Sequence, residues 1–139
     1  MRGAATLPPE MAQTYIETTD RHSVFYRKLR DGLRQAGVDV VDSPLDATAM
    51  LRIASDETGQ RVLSVSARNV PTEFEVFYTV AYDVMSEEKV LLPSRTQSLT
   101  RDYIWDETRV LGKEREAEML REALADDLVR VILIQLSGV

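Results

Sequence analysis

Residues 98–136 read SLTRDYIWDETRVLGKEREAEMLREALADDLVRVILIQL, and the predicted fold is built around them. This stretch joins the end of an alternating strand to a long apolar-rich helix that is predicted to begin near Gly112. The apolar stripe of this helix consists of Ala117, Leu120, Leu124, Leu128 and Val131. Its second half, Val129–Leu136, is apolar almost all round, which is typical of a helix buried on every side. We therefore expect either that another chain covers these turns or that the segment is a β-branched strand.

The strand that enters this stretch is predicted to have a long partner just before it. Between Glu73 and Met85 every second residue is apolar: Phe74, Val76, Tyr78, Val80, Tyr82 and Val84. This alternation predicts a central strand with one buried face. Ser86–Lys89 then turns the chain into an antiparallel partner, Val90–Ile104. Pro93 lacks a backbone N–H, so it predicts a bulge or an edge near the start of that partner.

Two further strands are predicted upstream. Thr48–Glu57 places Leu51 and Ile53 on one face, and Arg61–Arg68 alternates apolar residues with serines. Thr58-Gly59 between them is a plausible turn, so the two segments are predicted to form a hairpin. Together with the strands that follow, they predict an antiparallel meander.

The first third of the chain predicts an arm, a strand, a helix and a short edge segment. Residues 1–10 contain Pro8-Pro9 and are predicted to be an irregular arm. Met11–Thr18 has the alternation of a short strand. The region 24–36 has apolar residues at helical spacing and is followed by Gly37, which is suited to closing a helix. Val38–Val41 is expected either to pair at a sheet edge or only to pack down.

These elements predict an α+β protein with two helices packed on one face of a mostly antiparallel four- to five-stranded sheet. A length of 139 residues is enough for a single hydrophobic core. No repeat, low-complexity run or linker indicates a second domain, so we expect one domain over residues 1–139.

Composition excludes several classes of function. The net charge of -6 argues against nucleic-acid binding, because neutralising phosphates requires a basic surface. With no cysteine, disulfides, thiolate catalysis and cysteine zinc sites are excluded. No apolar run reaches the roughly 18 residues needed to span a bilayer.

The polar residues do not form a recognisable catalytic motif. His22 is the only histidine, and it has no second imidazole with which to share a metal or a proton. Glycine-rich phosphate loops and nucleophile elbows are absent. We therefore predict no catalytic residue, no metal and no cofactor. A small enzyme that uses the carboxylates of Asp102–Glu107 remains an alternative.

Basic side chains bracket the predicted strands at Arg61, Arg68, Arg95, Arg101, Arg109 and Lys113. If the strands pair as a meander, several of these could converge at one end of the sheet, where arginine forks suit phosphate. The other interpretation is that arginines at strand edges only prevent aggregation.

Several short motifs occur in an informative order. In the last part of the chain they are Leu99–Tyr103, Val110–Glu114, Glu116–Leu120 and Asp126–Val129. Earlier ones are Arg2-Gly3, Leu7–Met11, Leu29–Gly37, Asp46-Ala47 and Leu51–Ile53. In order and spacing they resemble the family of the LPS-assembly lipoprotein LptE, also called RlpB. The resemblance covers essentially the whole chain.

The resemblance implies a non-enzymatic protein of the outer membrane, on its periplasmic side. Family members help to assemble an LptD-type β-barrel, plug its lumen and bind lipopolysaccharide during its export to the cell surface. A lipid anchor on an N-terminal cysteine would hold the protein to the membrane. That cysteine is missing from this sequence, so we expect the anchor to lie outside it.

The resemblance also implies ligand residues. Lys113 matches the basic residue that follows the last strand in the family, and Arg68 is the nearest match to a basic residue on a strand-end loop. Arg101 and Arg95 are further candidates, on the expected placement of their strands alone. The competing interpretation is a small periplasmic interaction module with a different partner.

Overall fold

The computed structural model describes residues 6–104 and 113–139, and the side chains of residues 113 and 114 lie outside the description. The strands are β1 (Gln13–Glu17), β2 (Asp39–Val41), β3 (Ala49–Val65), β4 (Pro71–Ser86) and β5 (Lys89–Ile104). The helices are α1 (Val24–Gln35) and α2 (Lys113–Ser137), with short 3-10 turns at Pro9–Met11 and Pro44–Asp46. The strands form one sheet in the order β2-β1-β3-β4-β5.

The long strand β4 lies between β3 and β5 and pairs antiparallel with both. All six residues of its predicted apolar face are buried. Both helices cover this face, because Tyr78 Oη contacts the backbone of Phe25 in α1 while Tyr82 Oη contacts Gln135 in α2. The predicted α+β architecture is therefore confirmed, with five strands and both helices on one side.

The part of the sheet nearest the N-terminus is parallel. β1 pairs in parallel with β2 and with the first residues of β3, Ala49–Arg52. The helix α1 links β1 to β2 and begins at Ser23, whose hydroxyl accepts a hydrogen bond from the Tyr26 N–H at 2.9 Å. It ends before Gly37, which has a φ of +94° and closes the helix as predicted. The run 38–41 pairs at the sheet edge through β2.

The predicted turn at Thr58-Gly59 is wrong. Both residues lie inside β3, opposite Tyr78 and Phe77 of β4, and the Thr58 hydroxyl donates to the Phe77 carbonyl at 2.8 Å. The glycine accommodates an aromatic ring, since a Cβ on Gly59 would come within 3.0 Å of Phe77 Cζ. The chain reverses later, where the Ser66 N–H donates to the Val70 carbonyl at 2.8 Å. The predicted hairpin is thus a single long strand.

Two bulges change which residues face the core. The register of β3 against β4 shifts between Ile53 and Ser55, so Asp56 lies opposite Val80 and faces the helices. A second shift separates Leu92 from Arg95 on β5, at the position of Pro93, and confirms the predicted bulge.

The last segment of the chain is helical, so the strand alternative for Val129–Leu136 is wrong. Val129, Ile132 and Leu136 are buried within this chain, against α1 and the sheet. Val131, which was predicted in the buried stripe, is only half-buried. Ile134 is 67% exposed. Because Val129, Ile132 and Leu136 are buried within this chain, the apolar surface left uncovered is smaller than the sequence indicates.

The start of the chain differs slightly from the prediction. Pro9–Met11 forms a 3-10 turn, and Met11 is completely buried beneath it rather than starting a strand. Residues 1–5 of the predicted arm lie outside the described part of the chain. One domain over residues 1–139 stays a prediction, although the buried apolar residues of the described elements form one cluster.

Candidate functional site

The sheet extends well beyond α1 at one end. β1 pairs only with Ala49–Arg52, so the rest of β3 has no strand on that side within the described residues. We define the distal end as the following residues: the β3–β4 turn, Ser66–Val70, together with Val62–Val65, Pro71–Phe74 and Tyr103-Ile104. These strand ends occupy adjacent positions because Val62 pairs with Phe74, which in turn pairs with Tyr103.

The distal end exposes four aliphatic side chains. Val62 is 50% exposed, Leu63 45%, Val65 53% and Ile104 75%. Single exposed aliphatic residues are normal on a protein surface, but several at one end of a sheet indicate an interaction surface. Sequence analysis missed this feature, although the consecutive apolar pair Val62-Leu63 violates strict alternation and could have indicated it.

A rigid aromatic layer supports this surface. The rings of Phe74 and Tyr103 are stacked with centroids 5.4 Å apart. The Tyr103 hydroxyl donates to Gln60 Oε1 at 3.0 Å, which ties β5 to β3 across β4. Burial raises the pKa of Tyr103, so its phenol stays neutral and keeps donating at physiological pH.

Arg68 lies at the tip of the distal end. Its backbone N–H donates to Ser66 Oγ at 3.2 Å, and the next residue, Asn69, has a φ of 60° suited to a tight turn. Arg68 is exposed, and its guanidinium forms no ion pair with any residue that the structure describes. It therefore presents an unneutralised cation beside the aliphatic side chains.

Arg61 lies close by but is neutralised. Its guanidinium pairs with Glu75 at 2.8 Å and stacks over the ring of Phe77 at 4.4 Å from the centroid. These contacts lie on the sheet face away from the helices, where Asp102 is also exposed beside Glu75. Asp106 and Glu107, the other carboxylates of the proposed enzyme, lie outside the described residues.

The two arginines of β5 are placed differently from the prediction. Arg95 pairs with Tyr82 and Arg101 with Val76, so both point to the helix side and lie six residues apart, about 20 Å. Arg101 donates to Asp127 Oδ2 of α2 at 2.9 Å, and Asp127 also pairs with Arg130. Arg101 therefore links α2 to the sheet through an ion pair.

Arg95 is exposed and forms no ion pair with the described residues. Its positive charge lowers the pKa of Tyr82, but burial dominates and raises that pKa to about 12. Arg95, Arg101 and Arg68 are thus not brought together at one end of the sheet, which was one of the two interpretations of the sequence. Lys113 begins α2, but its side chain lies outside the description, as do Trp105 and Arg109.

None of the helices among the described residues is long and apolar enough to cross a membrane.

Comparison with known proteins places the chain in a family. A family model described as "LptE: Lipopolysaccharide-assembly" matches residues 11–136. The LPS-assembly lipoprotein LptE of Yersinia enterocolitica is 30% identical over 96% of this chain and 67% of its own length. Its counterpart in Yersinia pestis is 25% identical over 98% of this chain and 66% of its own length. The chain thus spans about two thirds of the length of these curated relatives.

Solved structures agree. The rare lipoprotein B of Shewanella oneidensis superposes with a TM-score of 0.76 at 25% identity, over 91% of this chain and 94% of that one. A lipoprotein B of Nitrosomonas europaea gives a TM-score of 0.81 at 27% identity, over 99% of this chain and 89% of that one. Sequence and structure therefore establish that the chain belongs to the LptE family of lipopolysaccharide assembly.

Proposed function

We propose that this protein acts in lipopolysaccharide export at the outer membrane, where it helps to assemble and plugs an LptD-type β-barrel and binds lipopolysaccharide in transit. The observation that carries the proposal is the distal end, which combines exposed aliphatic side chains with an unneutralised arginine. Membership of the LptE family over residues 11–136 supports the biological context.

The chemistry of the distal end matches the ligand class. Lipopolysaccharide presents acyl chains next to phosphate groups on its lipid A part. Val62 pairs with Phe74 and Ile104 pairs with Glu73, so they offer apolar surface to the chains on the two opposite faces of the distal end. The Arg68 guanidinium at the tip offers a planar fork of donors to a phosphate. The Phe74–Tyr103 stack joins the ends of β4 and β5 within the distal end.

The candidate ligand residues differ in their availability. Arg68 is our first choice because its charge is not used within the described fold. Lys113 is the second, from the family resemblance and its place at the start of α2. Arg95 is a weaker candidate because it lies about halfway along the sheet, and Arg101 is the weakest because Asp127 already engages it.

The barrel is the proposed protein partner. Beyond Arg52, β3 has no strand on the side where β1 lies, and the outer edge of β5 is also open within the described residues. Open edges next to exposed aliphatic residues are a liability in a free protein, and a surrounding partner would cover them. We propose that the native protein reaches this partner while held on the periplasmic side of the outer membrane by a lipid anchor, as its relatives named lipoproteins suggest.

Charge reversal at the tip tests the ligand site. We expect Arg68→Glu to weaken binding of purified lipopolysaccharide about 10-fold, which corresponds to the loss of one charge-assisted phosphate contact. The control is Lys89→Glu, which makes the same charge change at the first residue of β5, at the other end of the sheet, where Lys89 is exposed and 3.7 Å from Glu10. Surface plasmon resonance measures both affinities, and equal affinities for the two variants would exclude Arg68 as a ligand residue.

A second substitution tests the apolar part of the site. Ile104→Asp should reduce lipopolysaccharide binding several-fold with little effect on stability, because Ile104 is 75% exposed. Ile134→Asp is its matched control, since that residue is 67% exposed on α2. If both variants bind as the wild type does, acyl chains do not contact the distal end.

A further inference from the structure

A row of arginines lies on one face of α1, away from the distal end. Arg27, Arg30 and Arg34 are spaced i, i+3 and i+7, which places them along the same side of the helix. Arg21, in the loop before α1, lies beside them through a shared tyrosine. We call these four residues the arginine face.

Aromatic contacts hold two members of the arginine face. The Arg21 guanidinium donates to the Tyr15 hydroxyl at 2.8 Å and lies 5.5 Å from the Tyr15 ring centroid and 6.0 Å from that of Tyr26. Arg30 lies 5.8 Å from the Tyr26 centroid. Stacking on a ring fixes a guanidinium but leaves its charge unneutralised and most of its N–H groups free.

Counter-charges for the arginine face are few among the described residues. Arg21, Arg27 and Arg34 form no ion pair there, and Arg30 only touches its neighbour Asp31 at 3.4 Å. Lys28 of the same helix contrasts with them, because it contacts Glu122 at 3.9 Å and Asp126 at 3.2 Å in α2.

The placement carries an electrostatic cost. The pairs Arg27–Arg30 and Arg30–Arg34 place like charges at i, i+3 and i, i+4, which destabilises a helix. Asp31, four residues after Arg27, and the position of Arg34 in the last turn offset part of this cost. The first turn of α1 contains no acidic residue to compensate. Nearby, Asp20 caps the His22 N–H, and on the sheet side Asp56 accepts from Tyr78. A protein of net charge -6 that gathers four arginines on one face, of which only Arg30 has an ion pair among the described residues, indicates an anionic partner for that face.

We propose that the arginine face docks on a membrane surface by binding the phosphate headgroups of anionic phospholipids. Clusters of arginine and lysine are attracted to such surfaces, and the rest of this acidic protein would be repelled, so the contact would also orient the molecule. The inference uses residues separate from the distal end and does not depend on lipopolysaccharide binding.

Vesicle binding tests the inference. The arginine-face variant Arg27→Gln/Arg30→Gln/Arg34→Gln is compared with the control variant Lys89→Gln/Arg115→Gln/Arg130→Gln, which removes the same number of charges from exposed residues outside the arginine face and outside the candidate ligand residues. In sedimentation with vesicles of equal parts phosphatidylglycerol and phosphatidylcholine at low salt, we expect the wild type and the control to bind. The vesicle partition coefficient of the arginine-face variant should be about 100-fold lower than that of the wild type, which is the loss expected when three cations near an anionic surface are removed. Circular dichroism checks that α1 is intact.

Other outcomes overturn the inference. These are no binding of the wild type, equal loss in both variants, and equal binding to pure phosphatidylcholine. Inorganic phosphate provides a further arm at matched ionic strength. If it displaces the protein from vesicles more strongly than chloride does, the site takes free phosphate instead of a membrane surface. One more outcome overturns the inference: the wild type does not bind vesicles, and the arginine-face variant loses lipopolysaccharide binding. The arginine face would then bind a different ligand.

Discussion

At the scale of single residues, one tyrosine links the sheet to the start of α1. Tyr78 is 1% exposed, and its hydroxyl donates to Asp56 Oδ1 at 2.8 Å while accepting from the Phe25 N–H at 3.1 Å. The other carboxylate oxygen, Asp56 Oδ2, is buried with no partner among the described residues. The hydroxyl of Tyr78 therefore supplies the hydrogen bond to the half-buried Asp56 carboxylate.

Removing that hydroxyl should be costly. We expect Tyr78→Phe to lower the free energy of unfolding by about 3 kcal/mol, because it leaves both the Phe25 N–H and the Asp56 carboxylate unpaired. Tyr82→Phe is the control and should cost about 1 kcal/mol, since the Gln135 side chain keeps its bond to Gln97 at 2.7 Å. Urea unfolding at neutral pH measures both values, and equal costs would contradict the role of Tyr78.

The buried tyrosines also predict how stability depends on pH. Burial raises the pKa of Tyr82 to about 12 and raises that of Tyr78 as well, whereas an unfolded tyrosine titrates near about 10. Above about pH 10 the unfolded chain loses these protons while the folded chain keeps them, so stability falls as the pH rises. The slope is at most about 1.4 kcal/mol per pH unit for each tyrosine.

Comparison with a variant isolates this effect from other alkaline titrations. The free energy of unfolding of Tyr82→Phe should decline less steeply above about pH 10 than that of the wild type. Chemical denaturation across the alkaline range measures the two slopes. Parallel curves would mean that the Tyr82 phenol titrates alike in the folded and unfolded chains.

At the scale of elements, α1 and α2 approach closely at a glycine. A Cβ on Gly32 would lie 2.8 Å from Val129 Cγ1, and Val129 is buried and stiff at χ1. We expect Gly32→Ala to destabilise the protein by about 1 kcal/mol, because overpacking outweighs the gain in helix propensity. Thermal or urea unfolding measures the change.

A double-mutant cycle provides the control. Val129→Ala alone should also destabilise, but Gly32→Ala/Val129→Ala should be more stable than the sum of the single effects predicts, because the new methyl group occupies the space left by valine. Simple additivity would show that the two helices do not meet at this pair.

The elements also show how far sequence reasoning reaches. Alternation identified β4, and helical spacing with Gly37 identified α1, because these signals come from burial along one element. The prediction of a turn at Thr58-Gly59 was wrong because the glycine makes room for the ring of Phe77 on the neighbouring strand, a contact that no local sequence pattern reveals. The core position of Asp56 depends on a bulge, and a bulge changes the side-chain phase without a sequence signature of its own.

At the scale of the whole molecule, the family assignment settles the class of function. The LptE family acts in lipopolysaccharide assembly without catalysing a reaction, so the prediction of a non-enzymatic protein is confirmed, and the carboxylate enzyme is removed as an alternative. The short motifs allowed this recognition from the sequence because their order extends along the whole chain.

The candidate site was less predictable. Basic residues were visible in the sequence, but their distances depend on strand register and on partners such as Asp127, which takes Arg101. The exposure of Val62, Val65 and Ile104 depends on where the helices end over the sheet. From the sequence Lys113 is the first candidate, but its side chain lies outside the described residues, so we propose Arg68, which has neither burial nor an ion pair within them.

If the protein works inside a barrel that handles lipopolysaccharide, as we propose, the two proteins should form a complex that can be isolated. The most direct measurement is co-purification of the tagged protein with the LptD-type barrel encoded in the same genome, after co-expression. We predict an equimolar complex that survives gel filtration and retains lipopolysaccharide, with less lipopolysaccharide retained in the Arg68→Glu variant. A folded wild-type protein that elutes alone, with neither barrel nor lipopolysaccharide, would contradict the account.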